Sequence, residues 1–248
     1  MIIPPKISRL PVVWELRKLT LYSIYSIKFA FKFKSIVLIG TAFKYFPVWW
    51  RHQQKKNEPL KNDRPWIVFA AKDYLDKIIK KNDVVYEYGS GASSLYFSRR
   101  VAEIYSVEND PSWYHHLSLI INDLKITNIC CRLVDADVAG STDKDKYISR
   151  FPFTKGKYFE SYAKSIDNHP DGFFDIVLID GRARAACVSH AASKVKQGGY
   201  LILDNSERTY YFNNNDFILN DKEWKATHFT GPTPYSFQFS RTSFFQKL

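Results

Sequence analysis

In the second half of this chain, short apolar runs alternate with longer segments whose apolar positions recur at helical spacing. Val84–Tyr88, Ile104–Glu108, Ile129–Val134, Phe174–Ile179 and Tyr200–Leu203 are rich in β-branched and aromatic residues, which predicts strands. Between them the spacing predicts helices over Ser93–Val101, Pro111–Leu124 and Arg182–Val195, the last closed by Gly198-Gly199 as a C-cap. Ahead of the first strand, Pro65 is expected to open a helix over Trp66–Lys80, with Ala71, Leu75 and Ile78 on one face. Two more strand-like runs, near Lys225–Phe229 and Tyr235–Phe245, have no helix between them and are expected to pair antiparallel. Repeated strand–helix units imply a mostly parallel sheet covered on both faces. Cys130 and Cys131 would then lie on a buried strand.

The first strand carries the strongest chemical signal. Glu87-Tyr88-Gly89-Ser90-Gly91-Ala92-Ser93 reads as a strand end, a glycine turn and a helix start. Glycine has no Cβ and tolerates positive φ, so backbone can come close to a small ligand, and free helix N–H groups favour an electron-rich one. Glu108 closes the second strand, nineteen residues after Gly89. A carboxylate at that distance is where a Rossmann-like site grips the two hydroxyls of a ribose. A nucleoside-containing cofactor is expected. A dinucleotide site would want a third glycine at position 94, where Ser94 stands, and Glu87 would repel a pyrophosphate. It would suit the ammonium and sulfonium groups of S-adenosylmethionine.

On these residues the chain resembles the class I S-adenosylmethionine-dependent methyltransferases. Their first motif is acidic-x-Gly-x-Gly, matched by Glu87, Gly89 and Gly91, and their second is an acidic residue ending the second strand, matched by Glu108. The resemblance runs from about Trp66 to the C-terminus. It implies an α/β, Rossmann-like sheet, mostly parallel with an antiparallel C-terminal strand, behind a helical N-terminal extension. It implies cofactor contacts from Glu87, Gly89, Ser90, Gly91, Ser93, Glu108 and Asn109, from Asp135 near the adenine, and from Asp180 near the methionine end. Trp113 and Tyr114 are candidates for stacking or for packing.

Other strand ends offer catalytic groups, because ligands in such sheets sit outside the carboxyl ends of the strands. Asp180, Asp204 and Asn205 resemble the metal ligands of catechol-type O-methyltransferases, and would hold Mg²⁺ or Ca²⁺ through hard oxygens. The lysine those families place shortly after the first Asp is missing, since the helix begins Arg182-Ala183-Arg184. Arg182 and Arg184 could hold a substrate carboxylate or phosphate, or pair with Asp204 or Glu207. His190 is either a base or a core histidine, and His169 and His228 are further candidate bases. The reaction expected is methyl transfer to a small-molecule or glycan hydroxyl. The rivals are a nicotinamide-dependent oxidoreductase and a non-catalytic membrane or protein adaptor with a vestigial pocket.

Charge adds a second feature. The net charge is +11 over 248 residues, yet residues 1–62 hold twelve Lys and Arg against Glu15 and Glu58. Residues 63–248 hold twenty-four against twenty-three. We therefore divide the chain into a basic aromatic extension, 1–62, and a methyltransferase domain, 63–248, with an insertion at about 140–171 that could cover the substrate. A near-neutral domain without an Asn-Pro-Pro-Tyr type motif after the fourth strand argues against a nucleic-acid partner. The extension interleaves Tyr22, Phe29, Phe31 and Trp49 with Lys28, Lys32 and Lys34. It reads either as a packed lid or as a segment lying on an anionic membrane surface. Lys28–Phe33 also alternates with period two, so spacing alone leaves helix and strand open. No run is long and apolar enough to span a bilayer, and the start lacks a signal-peptide pattern. With three cysteines and no disulfide or metal pattern, a cytoplasmic protein is expected, at most at the inner face of a membrane.

Overall fold

The computed structural model describes residues 11–54, 60, 64–150 and 154–248. Seven strands form one sheet: β1 (Val84–Tyr88), β2 (Glu103–Glu108), β3 (Ile129–Leu133), β4 (Phe174–Ile179), β5 (Val195–Asp204), β6 (Trp224–Pro232) and β7 (Phe239–Lys247). Their order is β3-β2-β1-β4-β5-β7-β6. The first five run parallel, and β7 lies antiparallel between β5 and β6. The order reverses between β1 and β4, so their carboxyl ends diverge into a crevice, the place where doubly wound sheets bind ligands.

Helices α1 (Pro11–Lys32) and α2 (Val37–Gln54) form the extension. Then follow α3 (Phe69–Ile78), α4 (Ala92–Ser98), α5 (Pro111–Asp123), α6 (Lys144–Tyr147), α7 (Glu160–Ala163) and α8 (Arg184–Ala191). One core, on the side of α3 and α4, gathers Leu75, Val85, Phe97, Leu178 and Phe244. The opposite core, under α7 and α8, gathers Tyr86, Tyr88, Tyr162, Val177, Cys187 and Leu203. Because β1 and β4 are covered on both sides, their side chains are apolar on both faces, apart from buried Glu87 and from Asp175 at the start of β4, which pairs with Lys196.

Several expectations change. The helix expected from Trp66 begins at Phe69, since Trp66 and Ile67 bend before it. Helix α8 begins at Arg184, after Ala183 in the left-handed region (φ 43°). Gly198-Gly199 is no helix cap: the pair lies within β5, where pairing with β4 jumps from Phe174–Val195 to Ile176–Tyr200. Strand β3 is the sheet's edge, so Cys130 is exposed rather than buried. The last strand starts at Phe239, four residues after the expected Tyr235, and its antiparallel pairing with β6 is as expected.

Much of the insertion packs inward. Phe159, Tyr162, Ala163 and Ile166 are fully buried against the sheet, so this segment serves as the crossover layer between β3 and β4. Residues 151–153, part of its aromatic run, lie outside the described residues. The Glu160 carboxylate ties its two halves, accepting bonds from Ser141, Thr142 and Lys164.

The extension is helical, and its aromatics are mostly internal. Tyr22, Phe29, Tyr45 and Trp49 form their own buried cluster with Phe69 and Phe239. Polar tips are satisfied: Tyr22 donates to the Ala42 carbonyl (2.6 Å), Tyr45 to Asp73 (2.7 Å) and Trp49 Nε1 to the Ser236 carbonyl (2.8 Å). The extension thus docks on β6, β7 and α3. It is packed, but among the described residues it lines neither cavity of the site below.

Candidate active site

The turn after β1 is built around Glu87, which is wholly buried. Its Oε2 accepts from the Ser94 hydroxyl and from Ser106 Oγ at 2.9 Å. Ser94 Oγ in turn accepts from the Gly91 N–H at 2.9 Å, so the serine in place of a third glycine links the turn to the carboxylate. Glu87 Oε1 is buried with no hydrogen-bond partner among the described residues. This carboxyl is raised to about 7, by burial above all and also by nearby Asp180, against the hydroxyls of Ser93, Ser94 and Ser106, which favour the ionised form. An orphaned acceptor of this kind is costly unless a ligand completes it.

Gly89 sits at φ 97°, a conformation that side-chain-bearing residues rarely adopt. A Cβ there would lie 3.1 Å from the Gly181 Cα and nitrogen and from the Asp180 carbonyl carbon. The first turn and the loop after β4 therefore touch backbone to backbone. Gly91 is extended, and a Cβ there would make ordinary contact with Trp113 at 3.7 Å. Trp113 Nε1 donates to the Ser90 carbonyl at 2.7 Å, so this aromatic braces the turn. Ser90 Oγ bonds Ser106 Oγ at 2.5 Å.

At the end of β2, Glu108 is buried and its Oε1 accepts the N–H groups of Asn109 (2.7 Å) and Asp110 (2.8 Å). Every hydrogen bond it accepts from the described residues goes to that one oxygen. Burial raises this carboxyl, against the backbone bonds and the Arg182 charge. Asn109 and exposed Asp135 face one cavity of about 380 Å³, closed by Thr154, Lys157 and Phe159 of the insertion and by Arg182. A larger cavity, about 550 Å³, opens past Gly181 between α8, Asn205, Arg208, Tyr210–Tyr211 and insertion residues Lys146 to Arg150. Arg182 lines both.

The proposed metal ligands do not fit a metal. The Arg184 guanidinium lies between the two carboxylates, 2.7 Å from Asp180 Oδ1 and 3.8 Å from Asp204 Oδ2. It also donates to the carbonyls of Asp180, Gly181 and Asp204. Asp204 accepts further from Thr242 (2.6 Å) and from the Asn205 amide (2.8 Å), which turns the Asn205 nitrogen, not its oxygen, toward it. An arginine fills the place where a cation would stand. Among the described residues, no group of three or more His, Cys, Asp or Glu could hold a metal ion.

The candidate bases lie elsewhere. His190 bonds Tyr147 (3.0 Å) and Asp167 (2.9 Å), tying α8 to the insertion, and lines neither cavity. His169 packs against Phe173 and Phe174, where β4 begins, at the opposite end of the sheet from the crevice. His228 bonds Ser243 on the outer strands. Sequence reasoning missed Ser94 and Ser106, whose one visible signal is a hydroxyl at each of two otherwise apolar positions.

No protein-family model matches the chain, and no curated protein sequence does. Solved structures match over most of its length. An O-methyltransferase of Bacillus cereus in complex with S-adenosylhomocysteine aligns with TM-score 0.56, over 79% of this chain and 93% of that one, at 12% identity. An rRNA methylase of Streptococcus thermophilus aligns with TM-score 0.52, over 78% of this chain and 99% of that one, at 10% identity. The chain has the class I methyltransferase fold. Glu87 and the Gly89–Gly91 turn end β1 and Glu108 ends β2, the strand ends at which the sequence leads one to expect cofactor contacts. The orphaned Glu87 oxygen fits a cationic group, as the methionine end of S-adenosylmethionine carries. Of the expected cofactor residues, Asn109 and Asp135 line the smaller cavity, while Glu87, Gly89, Ser90, Gly91, Ser93, Glu108 and Asp180 line neither. The two class I structures are named for different reactions, so the choice of acceptor rests on this chain's own larger cavity.

Proposed function

We propose that the protein is an S-adenosylmethionine-dependent methyltransferase acting on a hydroxyl of an anionic small molecule or glycan. The observation that carries the cofactor reading is the buried Glu87, with one oxygen unpaired beneath a Gly-x-Gly turn and Glu108 at the end of the neighbouring strand. Glu87, Gly89, Ser90, Gly91 and Ser93 would hold the amino-acid end, Glu108 the ribose hydroxyls, and Asn109 and Asp135 the adenine. Bound there, S-adenosylmethionine supplies an electrophilic methyl on a sulfonium. The chain's own part is to align an acceptor with it, the main demand of such transfers.

The acceptor would occupy the larger cavity, which is of the size that ligand sites of small molecules have. Arg208 and Arg182 on its wall favour a carboxylate or phosphate on the acceptor, and Tyr210 and Tyr211 offer flat apolar surface. Arg182 borders both cavities and is the residue best placed to orient one ligand against the other. Asp180, held by Arg184, serves the cofactor side of that wall rather than a metal. His190 is a positioning residue for α8. The near-neutral domain favours a small acceptor over RNA.

The test is transfer of labelled methyl from S-adenosylmethionine to a panel of uronic acids, phosphorylated sugars and acidic glycans, with total RNA alongside. Label in an acidic small acceptor, lost in Arg208→Ala, supports the reading. Label in RNA alone overturns it.

A further inference from the structure

Packing uses one face of α1 and leaves the other bare. Tyr22, Ser26 and Phe29 point inward, while Leu16, Ile24, Ile27 and Phe31, one helical face on the far side, are 57%, 51%, 49% and 79% exposed. The bare surface continues over the α1–α2 junction, where Ile36 is 82% and Val37 71% exposed, and onto Phe43 of α2 at 77%. Of the fifteen large apolar side chains exposed among the described residues, eight fall between Leu16 and Phe43. An apolar surface that continuous marks an interaction site.

Its charge selects the partner. Arg17, Lys28, Lys34 and Lys44 are all exposed around this face. Between residues 14 and 53 the sole acidic residue is Glu15, and its carboxylate is 2.8 Å from Lys18 Nζ. A second copy of the chain would bring like charges together. An anionic surface would meet cations on a helix whose apolar side chains can enter the acyl boundary. No helix of the described residues is long and apolar enough to cross a membrane.

We propose that the outer face of α1, with the α1–α2 junction, docks the protein on an anionic membrane surface, the helix lying in the plane of the interface. The end of α1 is fixed to the catalytic side of the fold. Lys32 Nζ donates to the Glu207 carbonyl (3.3 Å), and the Arg241 guanidinium lies 3.6 Å from the Phe33 ring centroid. Arg208, the next residue after Glu207, lines the larger cavity. Docking would therefore bring that cavity's rim toward the headgroups.

The experiment is co-sedimentation of the full chain with phosphatidylcholine vesicles and with vesicles in which about a third of the lipid is phosphatidylglycerol. The expected result is pelleting with the anionic vesicles, falling as salt rises, because surface attraction is screened within a Debye length. Ile27→Glu/Phe31→Glu should cut binding at least tenfold by removing apolar contact, and Lys28→Glu/Lys34→Glu should abolish the anionic preference. Both substitute exposed positions, so unchanged melting temperatures would show that the variants are folded. Equal binding to neutral and anionic vesicles, or no binding to either, overturns the proposal. So does a dimer that Ile27→Glu/Phe31→Glu dissociates, in the absence of vesicle binding.

Discussion

The backbone of Gly89 lies against that of Gly181, so close that a Cβ on the first glycine would stand 3.1 Å from Cα and nitrogen of the second. This contact joins the turn after β1 to the loop after β4, whose Gly181 lines the larger cavity. On the sequence alone, a side chain at Gly89 would be expected to intrude on the cofactor. In the structure it first meets protein.

Gly89→Ala should therefore damage the fold as well as the site. The left-handed conformation alone costs about 1–2 kcal/mol for a residue with a Cβ, and crowding against backbone adds to it. Thermal or urea unfolding should show a loss of at least about 2 kcal/mol. Gly40→Ala, where no atom lies within 4 Å of the added carbon, should be near neutral or stabilising.

Glu87 predicts opposite pH trends for stability and for binding. Its carboxyl is raised to about 7, so between the usual glutamate range and pH 7 the folded apoprotein holds a proton that the unfolded chain has lost. Stability of the apoprotein should fall as pH rises through that window, by up to about 3 kcal/mol. Binding of the cofactor's ammonium needs the ionised form, so affinity should rise about tenfold from pH 6 to pH 8. Glu87→Gln should flatten both curves, keeping the apoprotein stable at high pH while weakening S-adenosylhomocysteine. A flat profile in the wild type would count against Glu87 as the contact.

Arg184 should be indispensable to the fold. Removing it in Arg184→Leu leaves Asp180 and Asp204 facing each other without a cation, which costs about 3–5 kcal/mol for a broken buried pair. Arg184→Lys should recover little, because one ammonium cannot reproduce bonds to three carbonyls and a carboxylate. Because this arginine stands where a metal would, excess chelator should leave cofactor binding and methyl transfer unchanged.

The parallel sheet was legible because its central strands β1 and β4 are buried on both faces and its motifs fall at strand ends. Glu87, Gly89, Gly91 and Glu108 come together in space because β1 and β2 are neighbours in register, Glu87 beside Ser106. What the sequence hid depended on contacts distant along the chain. Asp180, Asp204 and Asn205 have the order of a metal set, and only the path of the Arg184 side chain between them changes that reading. His190 lies two turns beyond the helix start, and a helical rotation that cannot be read from one sequence sends it to Asp167 and Tyr147. The extension's aromatics and aliphatics look alike in a linear pattern, yet packing sorts Tyr22 and Phe29 inward and leaves Ile27 and Phe31 outside.

Calorimetric titration of the full chain with S-adenosylhomocysteine, with NADH as control, decides whether the crevice beside Glu87 and Glu108 takes an adenosyl cofactor. Micromolar binding of the adenosyl ligand and none of NADH is expected. Glu108→Ala should weaken it by about 10–150-fold, the loss of charge-assisted bonds worth about 1.5–3 kcal/mol. Binding of NADH without the adenosyl ligand, or equal affinity in Glu108→Ala, would contradict it.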